Sequence, residues 1–277
     1  MADTDHVAIV ELGPDDAPAG LALSAEAHWN QNEADWRFFL SQGIVFGVRD
    51  HAGNLIASAA LLPYSSGNAW ISMVLVTASW RRRGLATKLV DACLAAAARQ
   101  GLTTWLDATP AGASVYGPLG FTPTLQLRRL RLDHALSTKA EAPPSLASCS
   151  VEKLTARDRL AMGFDRSSLL TELSGRPGSR PLSDGDALAL VRDGHNARHI
   201  GPLFADSPDR ALALINEIVW SETGPLLIDA VYEQAEFLQG LTGSGWIIER
   251  PFQRMRFGRA TAQASELPFA VAGPEYG

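Results

Sequence analysis

The chain has 277 residues, of which 46% are hydrophobic and 19% charged, with a formal net charge of −6. Such a composition supports one large or two ordinary buried cores and excludes a disordered chain. The acidic balance speaks against nucleic acid as a partner, because neutralising phosphates takes surplus Lys and Arg. Two distant cysteines, Cys93 and Cys149, give neither a disulfide framework nor a metal-ligand spacing. The opening residues Met1-Ala2-Asp3-Thr4-Asp5-His6 lack a basic or apolar leader. No apolar run reaches membrane-spanning length, so a cytoplasmic protein with no membrane partner and no metal is expected.

Taken in order, His6–Leu12 reads as a strand, Pro14–Asp16 as a turn and Ala17–Ala27 as a helix. Asn32 is placed to cap a second helix running through Gln42, with Trp36, Phe39 and Leu40 on one face. Ile44–Arg49, Leu55–Leu62 and Ala69–Val76 are expected to form an antiparallel meander, its first turn made by Asp50-His51-Ala52-Gly53-Asn54. Leu85–Gln100 is the longest helix, stopped by Gly101, and Cys93 lies on its apolar face as a small core residue. Thr103–Ala108 is a strand, Ala111–Leu119 a short helix and Phe121–Leu132 a strand. The order β-α-α-β-β-β-α-β-α-β predicts an α/β fold, a mixed, mainly antiparallel sheet flanked by helices.

His134 to Ser148 lose all periodicity around Pro143-Pro144 and read as a linker between domains at 1–133 and 149–277. The second half echoes the first. Trp105-Leu106-Asp107-Ala108 returns as Leu227-Ile228-Asp229-Ala230, and Gly120-Phe121 through Arg129-Leu130-Arg131-Leu132 returns as Gly245-Trp246 through Arg254-Met255-Arg256-Phe257. Two matches in one order at nearly one offset predict an internal duplication. Ala187–Arg192 and Arg198–Phe204 then form a hairpin, and Ala211–Val219 is the counterpart of the long helix.

The chemistry concentrates where the third strand of the meander ends. Val74-Leu75-Val76 is followed by Trp80-Arg81-Arg82-Arg83-Gly84-Leu85-Ala86-Thr87, so a strand delivers a basic, glycine-bearing turn directly into a helix. Gly84 lets backbone approach a ligand closely, and the first N–H groups of the helix, together with its positive end, suit a diphosphate. The segment is neither a Walker loop nor a dinucleotide GxGxxG fingerprint.

Arg81-x-x-Gly84-x-Ala86 resembles the pyrophosphate loop of the GNAT superfamily of acyl-CoA-dependent N-acyltransferases. Val115-Tyr116-Gly117-Pro118-Leu119-Gly120-Phe121 resembles that family's second, tyrosine-bearing signature. The resemblance covers about the first half of the chain. It implies acetyl-CoA as acyl donor, its pyrophosphate on Arg81, Arg82, Arg83, Gly84, Leu85, Ala86 and Thr87, and its pantetheine arm paired with the backbone of Val74 and Val76. An oxyanion-binding N–H is expected on the same strand. Tyr116 is the expected general acid for the leaving thiolate, since a tyrosine ordinarily stays protonated at neutral pH. Where the family often carries Asn, seven residues before that tyrosine, this chain has Thr109.

The strand before the loop holds no acid, so the general base is open between Asp107 acting through water, His28, and solvent. Trp29, Asn30 and Gln31 form a polar-aromatic cluster suited to an amine-bearing acceptor, whereas Trp36 reads as core. After Phe204 the second half reads Ala205-Asp206-Ser207-Pro208-Asp209-Arg210, with no counterpart of Arg81, Gly84 and Ala86 and with two acids. Leu238 stands where Tyr116 stands in the first half. The expectation is two tandem GNAT-like domains, the first catalytic and the second degenerate, transferring acetyl to a primary amine of a small molecule or peptide. A non-catalytic acyl-CoA sensor or scaffold is the alternative, and a homodimer is left open.

Overall fold

The computed structural model describes residues 8–133, 146–259 and 264–277. The described residues hold eight helices and twelve strands, and the element order of the first half is repeated by the second. β1 (Ile9–Glu11), α1 (Ala17–Glu26), α2 (Glu33–Gln42), β2 (Ile44–Arg49), β3 (Leu55–Tyr64), β4 (Asn68–Val76), α3 (Leu85–Arg99), β5 (Thr103–Ala108), α4 (Pro110–Tyr116) and β6 (Thr122–Leu132) come first. β7 (Ala147–Ser148), α5 (Val151–Met162), α6 (Ser167–Gly175), β8 (Arg180–Asp184), β9 (Ala187–Arg192), β10 (Arg198–Phe204), α7 (Pro208–Ser221), β11 (Leu226–Val231), α8 (Ala235–Gly243) and β12 (Ile247–Phe257) follow. The expected turn at Pro14–Asp16 is one turn of 3-10 helix. Of the expected linker, residues 134–145 lie outside the described residues, and Ala147–Ser148 pair with β8.

The chain divides into two compact units. One comprises Met1–Leu106 with Arg256–Thr261, the other Asp107–Met255 with Ala262–Gly277. In the first unit the strand order is β1-β2-β3-β4-β5, antiparallel except for the parallel pair β4/β5. α3 packs on β3 and β4, and Trp36, Phe39, Leu61, Trp70 and Leu89 are fully buried. α2 starts where Asn32 Oδ1 accepts from Asp35 N at 3.1 Å while the Asp35 carboxylate accepts from Asn32 N at 2.8 Å, a reciprocal capping box. Trp36 is a core residue: its indole N–H donates to Ser24 Oγ at 3.0 Å, and its ring lies against Gly20. A Cβ at Gly20 would overlap that ring. Gly20→Val is therefore expected to lower stability by about 1–3 kcal/mol through overpacking, read as a drop in denaturation midpoint.

In the second unit the order is β12-β6-β11-β10-β9-β8-β7, with β10/β11 parallel. Its core gathers Leu214, Ile215 and Ile218 of α7, Ile228 of β11, Phe237 and Leu241 of α8, and Phe269. The final strand of the first sequence repeat, β6, pairs through its second half with β11 of the second, from Leu132↔Leu226 to Leu127↔Val231. Arg129 on β6 makes a two-pronged ion pair with Asp229 on β11, both bonds 2.8 Å. The echo is the same in kind: Arg254 on β12 makes the same fork with Asp107, at 2.9 and 2.8 Å. Each repeat thus lends its last strand's arginine to the other repeat's aspartate.

Candidate active site

The loop after β4 turns through one 3-10 turn at Ala78–Trp80 and reaches α3 by way of Arg82, at φ 61°, and Gly84, at φ 79°. A side chain at Gly84 would project into open space rather than into protein. Its left-handed backbone is the constraint that selects glycine. The first helical bond of α3 runs from Lys88 N to Gly84 O at 3.0 Å, and no side chain caps the helix. The N–H groups of Leu85, Ala86 and Thr87 therefore have no acceptor within the helix, at the end where its dipole is positive. All three arginines are exposed. Arg81 Nε donates to Val76 O at 3.0 Å, and Arg83 reaches Ser79 O at 3.1 Å with its guanidinium 4.7 Å over Trp80. These two shape the loop around its own backbone, while Arg82 sits at the strained turn.

β4 carries a feature that its sequence conceals. Ser58↔Leu75 is followed by Ala60↔Ser72, so Met73 and Val74 together face one residue of β3. Met73 takes φ 51°, and Ser58 Oγ donates to its carbonyl at 2.8 Å. Pairing with β5 stops early as well. Asn68–Trp70 pair with Thr103–Trp105, pinned by Trp105 Nε1 donating to Asn68 Oδ1 at 3.0 Å and by the stacked rings of Trp70 and Trp105, and β4 then runs on to Val76. Thr77 N donates to Ile56 O, which sets the alternation: the backbone of Val76 turns away from β3, toward the edge that β5 has left. A strand edge open in this way accepts an extended chain as an added strand.

Glu26, at the end of α1, holds the beginning of the loop. Its carboxylate accepts from Thr77 Oγ1 and from Ala78 N, both at 2.7 Å, and the Thr77 and Ala78 bonds hold its pKa below the ordinary range. Fifty-one residues separate Glu26 from Thr77, which is why no local pattern reveals it. In the α1–α2 connection Asn30 and Gln31 are buried, Trp29 is half-buried and His28 is exposed at φ 56°. Among the described residues Gln31 Oε1 and Ser72 Oγ, the latter next to the bulge, are buried with no hydrogen-bond partner.

Tyr116 belongs to the second unit. It ends α4, whose first turn is built by Pro110 and by Thr109 Oγ1 accepting from Gly112 N at 3.2 Å. Thr109 is thus a helix cap. The Tyr116 ring is buried, 5.9 Å from Phe121, and it presses on Gly112, where a Cβ would stand 2.9 Å from the ring. The Asp107 side chain is inaccessible and held by Arg254, a structural role. Cys93 is buried in α3, and desolvation pushes its thiol up to about 12, as suits a small core residue. Among the described residues no group of three or more His, Cys, Asp or Glu is placed to hold a metal ion, and no helix is long and apolar enough to cross a membrane.

These features fit an acyl-CoA donor: uncapped amides behind an αL glycine for the diphosphate, and a bulged strand with an open edge for the arm. Comparison with known proteins identifies the family. Residues 13–121 match the model of the acetyltransferase (GNAT) family, and residues 154–270 match a second GNAT acetyltransferase domain. An uncharacterised N-acetyltransferase of Bacillus subtilis, YitH, is 25% identical over 247 residues, covering 86% of this chain and 87% of that one. A candidate acetyltransferase from Pyrococcus horikoshii superposes with a TM-score of 0.81 at 19% identity, over 100% of this chain and 98% of that one. A tandem GNAT protein from the clavulanic acid biosynthesis pathway superposes at 0.67 with 16% identity, over 92% of this chain and 100% of that one. Two family matches that together span most of the chain, on a doubled element order, make it a member of the GNAT acetyltransferase family with two GNAT domains in tandem.

Proposed function

We propose that the chain is an N-acyltransferase that moves an acetyl group from acetyl-CoA to a primary amine, with its chemistry in the first GNAT domain. The observation that carries this reading is the mouth of α3, where the amides of Leu85, Ala86 and Thr87 stand without helical acceptors behind Gly84. These amides and the basic turn would hold the diphosphate. Val74 and Val76, on the bulged edge of β4, would hold the pantetheine arm by backbone pairing, and an N–H of that edge would face the acyl carbonyl oxygen. The bound thioester supplies an activated acyl carbon and a sulfur leaving group. By its place in the family's tyrosine signature, Tyr116 would be the general acid for the leaving thiolate. Gln31 Oε1 and Ser72 Oγ, buried oxygens lacking partners, suit N–H donors of an amine acceptor. The acceptor amine gives up its proton to solvent, since β4 carries no acid and Asp107 is committed to Arg254.

Gly84→Val tests the loop. A β-branched residue in a left-handed conformation costs roughly 1–2 kcal/mol and shields the amides behind it. The Kd for coenzyme A is expected to rise about tenfold or more by titration calorimetry, with circular dichroism unchanged. An unchanged Kd places the nucleotide elsewhere. The absence of an acid on β4 also favours a second reading, a sensor that binds acyl-CoA without turnover. A panel of amines tested for CoA release separates the two: binding with no accelerated release by any amine selects the sensor.

A further inference from the structure

In the second GNAT domain the place that corresponds to the open edge of β4 is already filled by the protein's own chain. β10 pairs with β11 through three residues, Arg198–Ile200 with Leu226–Ile228, just as β4 pairs with β5 through three. It too is bulged directly afterwards, at Gly201–Pro202, where the register with β9 shifts. Between the diverging strands runs the segment Phe269–Val271. Leu203 N donates to Ala270 O at 3.0 Å and Phe269 N to Leu203 O at 2.9 Å. On the other side Val231 N donates to Phe269 O at 3.0 Å and Val271 N to Asp229 O at 3.1 Å. Ala270 thus bridges both strands, and among the described residues no isolated bridge of this kind occurs in the first unit.

The helix mouth of this domain is closed by a second, independent device. α7 begins with Ser207, whose hydroxyl accepts from Arg210 N at 3.3 Å, and with Pro208, which has no N–H to offer. Asp209 adds negative charge in the first turn. The segment is tied down beyond the cleft by Arg192, which donates to Ala272 O at 2.9 Å and pairs with Glu275 at 3.0 Å. Arg166 donates to Tyr276 O at 2.7 Å while forked onto Asp158, at 2.9 and 2.7 Å. Ala270 and Tyr276 are fully buried, and both arginines are nearly so.

We infer that residues 268–276 are a built-in occupant of the second domain's donor cleft, an intramolecular strand that takes the place an acyl-CoA arm would take. The protein then binds one acyl donor per chain, in the first domain, and the second domain is held folded by its own tail. The stoichiometry rests on the function proposed above; the occupancy of the cleft does not.

Coenzyme A titrated into the full chain by calorimetry, with hydrogen exchange followed at residues 269–271, tests both parts. The expected result is one site per chain, weakened about tenfold or more in Gly84→Val, with the amides of Phe269 and Val271 protected equally with and without coenzyme A. Two sites, or one site whose Kd is unchanged in Gly84→Val, or faster exchange of those amides when coenzyme A is added, overturns the inference. No binding at all with the amides still protected removes the first-domain reading and leaves the tail in its cleft. Rapid exchange in the free protein removes the tail from it. Gly201→Ala is a second probe, because a Cβ there would overlap Val271 O. It is expected to speed exchange at Val271 about tenfold or more, and an unchanged rate counts against the docked strand.

Discussion

Tyr116→Phe is expected to lower kcat for acetyl transfer by about 10²–10⁴-fold, the range for loss of a positioned general acid, while the KM for acetyl-CoA changes little. The substitution removes one oxygen and leaves the ring, so its contacts with Phe121 and Gly112 persist. Steady-state kinetics with a competent amine reads the outcome directly. A kcat within twofold of wild type assigns the tyrosine to packing alone. Lost thermal stability together with unchanged kcat on the folded fraction gives the same assignment. Leaving-group dependence adds a finer test: if the hydroxyl protonates the departing sulfur, acyl donors with more acidic thiols suffer less from its removal.

Asp229→Asn is expected to destabilise the fold by about 3–5 kcal/mol, a fall of roughly 10 °C in Tm, because it strands a buried guanidinium. Arg129 and Asp229 are almost wholly inaccessible, and Asp229 also meets His199 Nε2 at 2.9 Å. A double-mutant cycle checks the mechanism. Adding Arg129→Met to Asp229→Asn recovers part of the loss, as the uncompensated charge goes with it. Strictly additive losses mean that the pair is not coupled.

The pH dependence has a definite sign. Burial alone pushes the Asp229 carboxyl upward, but Arg129 and the bonds from His199 and Arg129 outweigh it and hold the carboxyl well below the usual range. Its stabilisation is therefore complete above about pH 4, the ordinary carboxylate value, and is lost as pH falls further toward the depressed native value. His199 works over a higher window. Burial and Arg192 hold its pKa below that of a free imidazole, against the pull of Asp229. The unfolded chain takes up that proton first, so this contribution is complete above about pH 6.5 and declines below it. Denaturant midpoints of wild type and Asp229→Asn should differ by a constant amount near neutrality and converge below about pH 4.

The elements of the first half are legible because apolar segments of strand or helix length are punctuated by residues with local conformational demands. β2 and β5 fall at their expected limits, and Asn32 caps α2 as its position implies. The duplication is legible too, since the Asp107/Asp229 and Arg129/Arg254 echoes mark equivalent places in two identical element orders. α5, α6 and β8 carry no comparable pattern, and only the structure reveals them. The bulge of β4 escapes because no glycine marks it: Met73 takes the left-handed conformation inside an apolar run, held there by Ser58, fifteen residues away. Glu26 escapes because its partners lie beyond the reach of any local signal.

Local chemistry alone was enough to specify the family, the α/β order of the first half, the duplication and the loop, because helix starts, strand periods and a glycine that needs φ 79° are written in adjacent residues. Tertiary structure alone decided which arginine answers which aspartate. It also decided that β4 opens at its far end and that Phe269–Val271 fill the corresponding opening of the second domain. Strand pairing joins backbone groups through hydrogen bonds that every residue can accept and every residue except proline can donate, so the docking of Phe269–Val271 leaves no side-chain signature to read in advance.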